Sequence, residues 1–253
     1  AGQRCSALRV LCVQEEAADR VVAMLKGAMA EAAIGNPARL AVDVGPVIDA
    51  EARDSIERHV EAMRARGHAV FRQAREHGDD TRHGTFVTPT LIELDGISEL
   101  QREVFGPVLH LVRFRRRDLG ALVGQINGTG YGLTLGVHTR IDETIAQVVE
   151  NAKAGNVYVN RNIVGAVVGV QPFGGEGLTS TGPKAGGPLY MLRMLSQRLA
   201  RPIRFLVQPG QIEVRVAQQR VLGKRVAIRG HRLVFTPQVL EQRGEVERQD
   251  GAR

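Results

Sequence analysis

The sequence predicts an α/β fold in which a mostly parallel, twisted sheet is covered by helices. Apolar residues recur at helical spacing in several segments, and short runs of β-branched residues lie between those segments. Glycine or proline marks the ends of most of these segments. Strands that alternate with helices along a chain favour a parallel sheet with helical cover, so the fold class follows from the pattern as a whole.

Four segments carry their apolar residues on one helical face. The first is expected to end at Gly35 and Pro37, and the second begins at Asp49, whose carboxylate is placed to cap the helix. Asp118 is expected to cap the third in the same way, and Gly155 closes the fourth. The predicted helices are Gln14–Ala33, residues 49–67, a helix after Asp118 that carries Leu122, Val123 and Ile126, and Asp142–Ala154.

Strands are predicted where β-branched residues cluster or alternate with polar ones. They are His68–Phe71, Phe86–Leu94, Val108–Phe114, Gly132–His138 and Asn156–Asn160, and the charged loop Arg75–Gly84 separates the first two. From Asn160 to Gly187 the glycine density rises and the periodicity is lost. Because prolines stiffen this stretch, we expect tight backbone turns around a ligand instead of a flexible linker.

The positive charge of the chain is concentrated at its C-terminal end. The net charge is +7, and residues 201–253 contain ten arginines and one lysine against five acidic residues. Residues 1–200 are therefore nearly neutral, and they contain no known nucleic-acid-binding motif. Together these observations exclude nucleic-acid binding for this chain. We predict a catalytic domain in residues 1–197 and a basic C-terminal extension in residues 198–253. The amino-acid composition changes abruptly where this extension begins, which fits either a genuine extension or the product of a shifted reading frame.

The chain contains no basic and apolar signal segment, and its longest apolar run, near Ile163–Val170, is too short to span a bilayer. We therefore expect no membrane span and a cytoplasmic location. Cys5 and Cys12 are the only two cysteines. They cannot form a disulfide framework or a cysteine zinc cage, so we predict no metal site and consider each thiol separately.

Cys5 is the candidate nucleophile. A reactive cysteine must be ionised, and a helix N-terminus lowers the pKa of a thiol beside it. We predict that Ala7–Val13 forms such a helix and that Gly2 permits a tight turn before the thiol. Taken alone, the pattern also fits a buried cysteine that packs as a small apolar residue, which is the interpretation we give to Cys12.

Two further segments carry candidate binding residues. In Glu103–Pro107 a carboxylate on a rigid turn stands beside Phe105, an arrangement suited to a ribose diol and its base. A plain acidic turn with a core phenylalanine is the alternative. In residues 160–187, glycine turns can present backbone amides to a carboxylate or an oxyanion without a charged side chain.

In this order and spacing, the motifs resemble the aldehyde dehydrogenase superfamily from Ala1 to about Gln197. The motifs are Gly2-Gln3-x-Cys5, Glu103-x-Phe105-Gly106-Pro107, Asn127-x-x-x-Tyr131-Gly132-Leu133, Gly155-Asn156-x-x-x-Asn160 and Pro172-Phe173-Gly174-Gly175. Four segments look most like the dehydrogenase domain of proline utilisation A. They are Ala1–Arg9, Val159–Asn162, Gly165–Gly169 and Gly182–Gly187.

This resemblance implies an NAD-dependent oxidoreductase of proline catabolism. Its substrate would be L-glutamate γ-semialdehyde, the open form of 1-pyrroline-5-carboxylate, and its product L-glutamate. Cys5 would be the catalytic nucleophile that forms a thiohemiacetal and then a thioester. Glu103 would accept hydrogen bonds from the nicotinamide ribose of NAD, with Phe105 packed beside the cofactor.

The resemblance also assigns the substrate-binding residues. Ser6 and the backbone amides of Gly165 and Ala166 would anchor the α-carboxylate of the substrate. Phe173 would pack against its aliphatic part. Neutral donors in a tight loop fix a distance, and this would select the chain length of the aldehyde.

By the same resemblance, the NAD-binding half of the domain would precede Ala1. We therefore expect an incomplete aldehyde dehydrogenase fold and an inactive isolated chain. In the intact protein we expect a proline dehydrogenase domain or partner and a homo-oligomer.

Two departures from the family pattern affect the glycine-rich segment. Ser180 stands where the family has a glycine, which would strain the loop if the position requires a positive φ. Glu176 stands where an arginine is usual. The competing interpretations are a dehydrogenase for another aldehyde, a truncated product without function, and a cysteine hydrolase. The last would need a histidine base that the sequence does not identify.

Overall fold

The computed structural model describes residues 1–73, 81–164, 166–167, 169–180, 182–193, 205–208 and 211–214. The chain divides into two units. One comprises residues 1–131 and 150–152, and the other residues 132–149 and 153–253. Among the described helices, none combines the length and the apolar character that a membrane crossing requires.

The described part of the first unit contains four strands and three α-helices. In chain order its elements are β1 (Val10–Gln14), α1 (Glu15–Glu31), α2 (Ala50–Ala65), β2 (Val70–Arg72), β3 (Thr90–Leu94), β4 (Val108–Phe114) and α3 (Leu119–Gly128). The four strands form one sheet in the order β1-β4-β3-β2. β4 pairs in parallel with both β1 and β3, whereas β2 pairs with β3 antiparallel. The predicted α/β class with a mostly parallel sheet is confirmed.

The core of the first unit lies on both faces of this sheet. Because side chains alternate along a strand, Leu111 and its neighbour Val112 belong to different apolar clusters. On one face Leu111 packs with residues of α1, including Ala18 and Val22. On the other face Val112 belongs to the cluster that contains residues of α2 and α3. Burial on both faces is what a parallel sheet requires.

The remaining elements follow Gly130 in the chain. They are β5 (Tyr131–Gly132), β6 (Thr134–Val137), α4 (Asp142–Asn151), β7 (Asn156–Val159), β8 (Glu176–Gly177), α5 (Tyr190–Arg193), β9 (Phe205–Gln208) and β10 (Gln211–Val214). In the second unit β6 pairs in parallel with β7, and β9 pairs antiparallel with β10. The predicted boundary at residues 197/198 lies outside the described residues, as does most of the predicted charged loop at residues 75–84.

Most predicted helices and strands are present, with shorter ends. Asp49 caps α2 as predicted, because its Oδ1 accepts a hydrogen bond of 2.8 Å from the backbone amide of Ala52. Asp118 occupies the corresponding position before α3, but its side chain makes no capping hydrogen bond. The predicted strand Gly132–His138 is divided into β5 and β6 at Leu133.

The prediction of a helix at Ala7–Val13 is wrong. Residues 4–7 form a turn, and the chain then enters strand β1 at Val10. An apolar run this short cannot distinguish a helix from a buried strand by its periodicity. The parallel partner β4 decides the outcome, because it pairs with every residue of β1 from Val10 to Gln14.

Candidate active site

Cys5 lies in a tight turn at the start of the chain. The backbone amide of Ala7 donates a hydrogen bond of 3.0 Å to the carbonyl of Arg4, which closes the turn around the cysteine. Cys5 is exposed, whereas the next residue, Ser6, is only 3% exposed. Since a strand follows this turn, the turn does not lead into a helix whose N-terminus could activate the thiol. The thiol itself is open to an electrophile from solvent.

A close backbone approach joins this turn to the segment that contains Glu103 and Phe105. The amide of Gly106 donates a hydrogen bond of 2.9 Å to the carbonyl of Gly2. Gly2 has φ of +66°, and a Cβ atom on it would lie 1.8 Å from the Gly106 oxygen. Only glycine fits this position, as the predicted tight turn before the cysteine requires.

Glu103 and Phe105 meet at a single guanidinium group, that of Arg9. The Nε of Arg9 donates a hydrogen bond of 3.0 Å to Oε1 of Glu103, and its Cζ lies 4.1 Å from the centroid of the Phe105 ring. No residue in the described part of the chain bonds to the other oxygen of Glu103, Oε2. Glu103 therefore keeps an acceptor for a ligand hydroxyl. The sequence assigns no role to Arg9, although Arg9 ends the segment Ala1–Arg9 that resembles proline utilisation A.

Cys12 differs from Cys5 in its surroundings. It packs against the apolar cluster that contains Val112 and residues of α2 and α3, and burial raises the pKa of its thiol to about 11. A thiol in this state is neutral at physiological pH and unreactive. The interpretation of Cys12 as a packed residue is confirmed.

Two histidines form a pair in the first unit. The Nε2 atoms of His59 and His110 lie 2.8 Å apart, and Nδ1 of His110 lies 3.2 Å from the carbonyl oxygen of Arg9. Burial lowers the pKa of His110 to about 4, the hydrogen bond with the Arg9 backbone opposes this shift, and the charges of His59 and Arg9 lower the pKa slightly further. His110 is therefore neutral and packed. Both its ring nitrogens have neighbours already, which gives no support to a hydrolase base.

In the second unit, backbone hydrogen bonds fold the glycine-rich segment into tight turns. Phe173 and Ala185 exchange two of them, of 3.0 and 2.9 Å. The buried side-chain amide of Asn156 donates a hydrogen bond of 2.9 Å to the carbonyl of Pro172. It also accepts a hydrogen bond of 3.3 Å from the backbone amide of Gly174. The buried Nζ of Lys184 donates to the carbonyl of Gly155. The expectation of tight turns, as opposed to a flexible linker, is met.

The predicted substrate-binding residues are distributed over both units. Ser6 belongs to the first unit, whereas Ala166 and Phe173 belong to the second and are partly exposed. Gly165 lies outside the described residues. The structure thus brings the turn that contains Cys5 into contact with the segment of Glu103 and Phe105. The carboxylate anchor stays a prediction.

The two departures from the family pattern cause no backbone strain where they are described. Ser180 has no positive φ, since Asn160 is the one non-glycine residue with that conformation among those described. The Ser180 hydroxyl instead bonds to the amide and carbonyl of Gly182. Glu176 lies in β8, and its charge raises the pKa of Lys184, which burial lowers more strongly, to about 8.

The fold, the exposed cysteine turn and the adjacent Glu103–Phe105 turn agree with the match to a family model. Residues 1–199 match the model of the aldehyde dehydrogenase family. This chain belongs to that family.

Within the family, the chain is similar to proline utilization A. It is 69% identical over 201 residues to the bifunctional protein PutA of Klebsiella aerogenes, covering 78% of this chain and 15% of that protein. It is 34% identical over 192 residues to a 1-pyrroline-5-carboxylate dehydrogenase of Bacillus cereus, covering 75% of this chain and 36% of that protein. The chain therefore spans less than two fifths of each of these relatives.

Solved structures give the same result. The fold superposes on a crystal structure of a PutA mutant from Bradyrhizobium japonicum with a TM-score of 0.71 and 50% sequence identity. The match covers 76% of this chain and 19% of that one. The described fold is thus part of an aldehyde dehydrogenase domain of the kind found in PutA.

Proposed function

We propose that this chain carries the catalytic cysteine of an NAD-dependent dehydrogenase that oxidises L-glutamate γ-semialdehyde to L-glutamate in proline catabolism. The observation that carries the proposal is the contact between two turns, one with the exposed Cys5 and the other with Glu103 and Phe105. They meet in a chain 69% identical to a bifunctional PutA protein. The 34% identity to 1-pyrroline-5-carboxylate dehydrogenase supports the same substrate.

The chemistry proposed for Cys5 is covalent. Its thiolate attacks the aldehyde carbon, and the backbone amide of Cys5 donates to the oxyanion that forms. Loss of a hydride from the resulting thiohemiacetal leaves a thioester on the cysteine. Attack by water then releases the carboxylate product and restores the thiol. The exposure of Cys5 supports this role, because both the aldehyde and the water must reach its sulfur.

NAD supplies the acceptor for the hydride when it is bound. The residues present fit its nicotinamide end, since Glu103 retains Oε2 as an acceptor for a ribose hydroxyl. Phe105 is 42% exposed and offers a ring face or edge for packing beside the cofactor. Arg9 holds both side chains in place from one side.

The proposed anchor for the substrate carboxylate consists of neutral donors. Ser6 supplies a hydroxyl, and Gly165 and Ala166 supply backbone amides. Phe173 packs against the methylene groups between the carboxylate and the aldehyde. The likeness of these segments to proline utilisation A supports the assignment.

The activity of the whole protein requires more than this chain. We propose that the NAD phosphates bind to a preceding part of the dehydrogenase domain, so the chain alone binds NAD weakly and does not turn over. The relatives named bifunctional PutA support a proline dehydrogenase domain or partner that supplies the substrate. We further propose a cytoplasmic homo-oligomer for the intact protein.

The test is NADH formation from glutamate semialdehyde by two proteins, the chain itself and a fusion. The fusion places the preceding part of the dehydrogenase domain of the Klebsiella aerogenes relative before Ala1. Cys5→Ala should lower the activity of the fusion by more than about a thousandfold, as removal of a nucleophile does. Cys12→Ala is the matched control and should leave most of the activity.

The outcomes separate mechanism from substrate. Turnover by the Cys5→Ala fusion would overturn the thiol mechanism. Faster oxidation of an aldehyde without an α-carboxylate would overturn the substrate assignment. Turnover by the chain without the fusion would contradict the proposed need for a preceding domain.

A further inference from the structure

Arg9 contacts both turns of the candidate site. Besides its contacts to Glu103 and Phe105, Arg9 donates two hydrogen bonds to backbone carbonyls. Its Nη1 donates one of 2.6 Å to the carbonyl of Gly2, and its Nη2 donates one of 2.7 Å to the carbonyl of Arg4. These two carbonyls precede Cys5 in the turn. One guanidinium group therefore connects the backbone on the N-terminal side of the cysteine with both residues proposed to contact the cofactor.

The geometry of these contacts suits arginine and excludes lysine. A planar guanidinium donates in several fixed directions and can stack its face on an aromatic ring at the same time. An ammonium on a flexible stem cannot do both. The side chain of Arg9 is 15% exposed, so its charged hydrogen bond to Glu103 is largely shielded from water.

The backbone of Arg9 is fixed as well. Its carbonyl oxygen accepts a hydrogen bond of 3.1 Å from the amide of His110 in β4, and it lies 3.2 Å from Nδ1 of the His110 ring. His110 is 1% exposed and belongs to the centre of the sheet. The backbone of Arg9 is thus hydrogen-bonded to the central part of the sheet. Its side-chain contacts therefore fix both turns relative to the sheet.

We propose that Arg9 is a positioning residue that sets the Cys5 turn relative to Glu103 and Phe105. By holding Oε1 of Glu103, Arg9 orients the carboxylate so that Oε2 faces a ribose hydroxyl. By holding the Gly2 and Arg4 carbonyls, it fixes the turn that presents the thiol. The effect on NAD rests on the function proposed above, whereas the effect on the turns does not.

The first arm of the test uses the full chain and does not depend on activity. Hydrogen exchange of the segments at residues 1–9 and 101–108 is measured in the wild type, Arg9→Met and Arg9→Lys. Arg9→Met should accelerate exchange in both segments by about tenfold or more, as the loss of a charge-assisted hydrogen bond predicts. Arg9→Lys should recover part of the protection in one segment, because an ammonium cannot reach all four partners.

Arg113 provides a matched control. It lies on β4 and also joins two carboxylates, with distances of 3.0 Å to Glu93 and 2.6 Å to Asp19. It has no contact with either turn among its hydrogen bonds. Arg113→Met should leave exchange in both segments unchanged. Equal acceleration in both variants, or none in Arg9→Met, would overturn the positioning role.

The second arm measures the dissociation constant for NAD in the fusion enzyme, in a cycle of Arg9→Met and Glu103→Gln. Arg9→Met alone should weaken NAD binding by about tenfold, and it should weaken binding much less when Glu103 is already replaced. If Arg9→Met only destabilised the fold, it would weaken NAD binding by the same factor in the wild-type and the Glu103→Gln backgrounds. Such full additivity would overturn the proposal. Because binding needs no chemistry, an inactive Cys5 mechanism would not be mistaken for failure of Arg9.

Discussion

The sheet core of the first unit and the loop contacts of the second unit are stabilised by different kinds of burial. The first has apolar clusters on both faces of a four-stranded sheet. The described part of the second buries Val157 and Tyr158, but also the polar side chains of Asn156 and Lys184, each bonded to backbone carbonyls. Apolar contacts tolerate small adjustments, whereas hydrogen bonds to a folded loop require its backbone in one place. The sheet core of the first unit should therefore be sensitive to lost volume, and the loop contacts of the second unit to added volume.

The largest expected effect is in the first unit. Leu111→Ala removes a side chain that is 0% exposed and packs against α1. Leucine-to-alanine changes in cores cost several kcal/mol because a cavity remains, so we expect the free energy of unfolding to fall by about 4 kcal/mol. Urea unfolding of the full chain measures it. Leu8→Ala, at a position 42% exposed, should change stability by less than about 0.5 kcal/mol, and a comparable loss there would break the comparison.

The next effect belongs to the second unit. A Cβ atom on Gly155 would lie 1.9 Å from the carbonyl oxygen of Gly174, which is backbone and cannot rotate away. Gly155→Ala should therefore lower the free energy of unfolding by about 3 kcal/mol through forced backbone movement. Thermal and urea unfolding measure the loss.

Gly124 supplies the control for this substitution. It lies in α3 with no atom within 4 Å of an added Cβ. Gly124→Ala should stabilise the chain by up to about 1 kcal/mol, since alanine favours a helix. If both substitutions had the same sign, the sensitivity of the second unit to added volume would be refuted.

The smallest effects appear in the pH dependence of stability. Burial lowers the pKa of His110 from 6.5 to about 4. The unfolded chain then binds more protons between these values, so stability falls as the pH falls through this window. Between pH 7 and pH 5 we expect a loss of about 2 kcal/mol from this residue. His110→Gln should remove most of that slope, and an unchanged slope would exclude His110 as its source.

Lys184 gives the second unit a different window. Burial lowers its pKa from 10.5 to about 8, against the opposing attraction of Glu176. The unfolded chain keeps this proton longer, so stability rises between pH 8 and pH 10.5. Lys184→Met should flatten the alkaline slope and leave the acid slope in place. If Lys184→Met or His110→Gln removed both the acid and the alkaline pH dependence of stability, the two slopes could not be assigned to separate buried bases in the two units.

Local signals predicted much of the fold. The apolar period of α1 and α2 and the carboxylate of Asp49 identify these helices without knowledge of their neighbours, because a helix repeats every few residues and is capped by its own flanks. Strand β4 was predicted at its observed bounds by simple alternation. In contrast, the helix predicted after Cys5 failed, since its apolar residues were too few to show a period and a distant strand determined their conformation.

Sequence alone determined the family motifs, the candidate nucleophile and the class of the fold, because these depend on residue types at fixed spacing. Tertiary structure alone decided that Cys5 precedes a strand and that Arg9 joins both turns. The hydrogen bond between Arg9 and Glu103 connects residues 94 positions apart. No local pattern encodes such a pairing, since it depends on two parallel strands, β1 and β4, lying side by side in register.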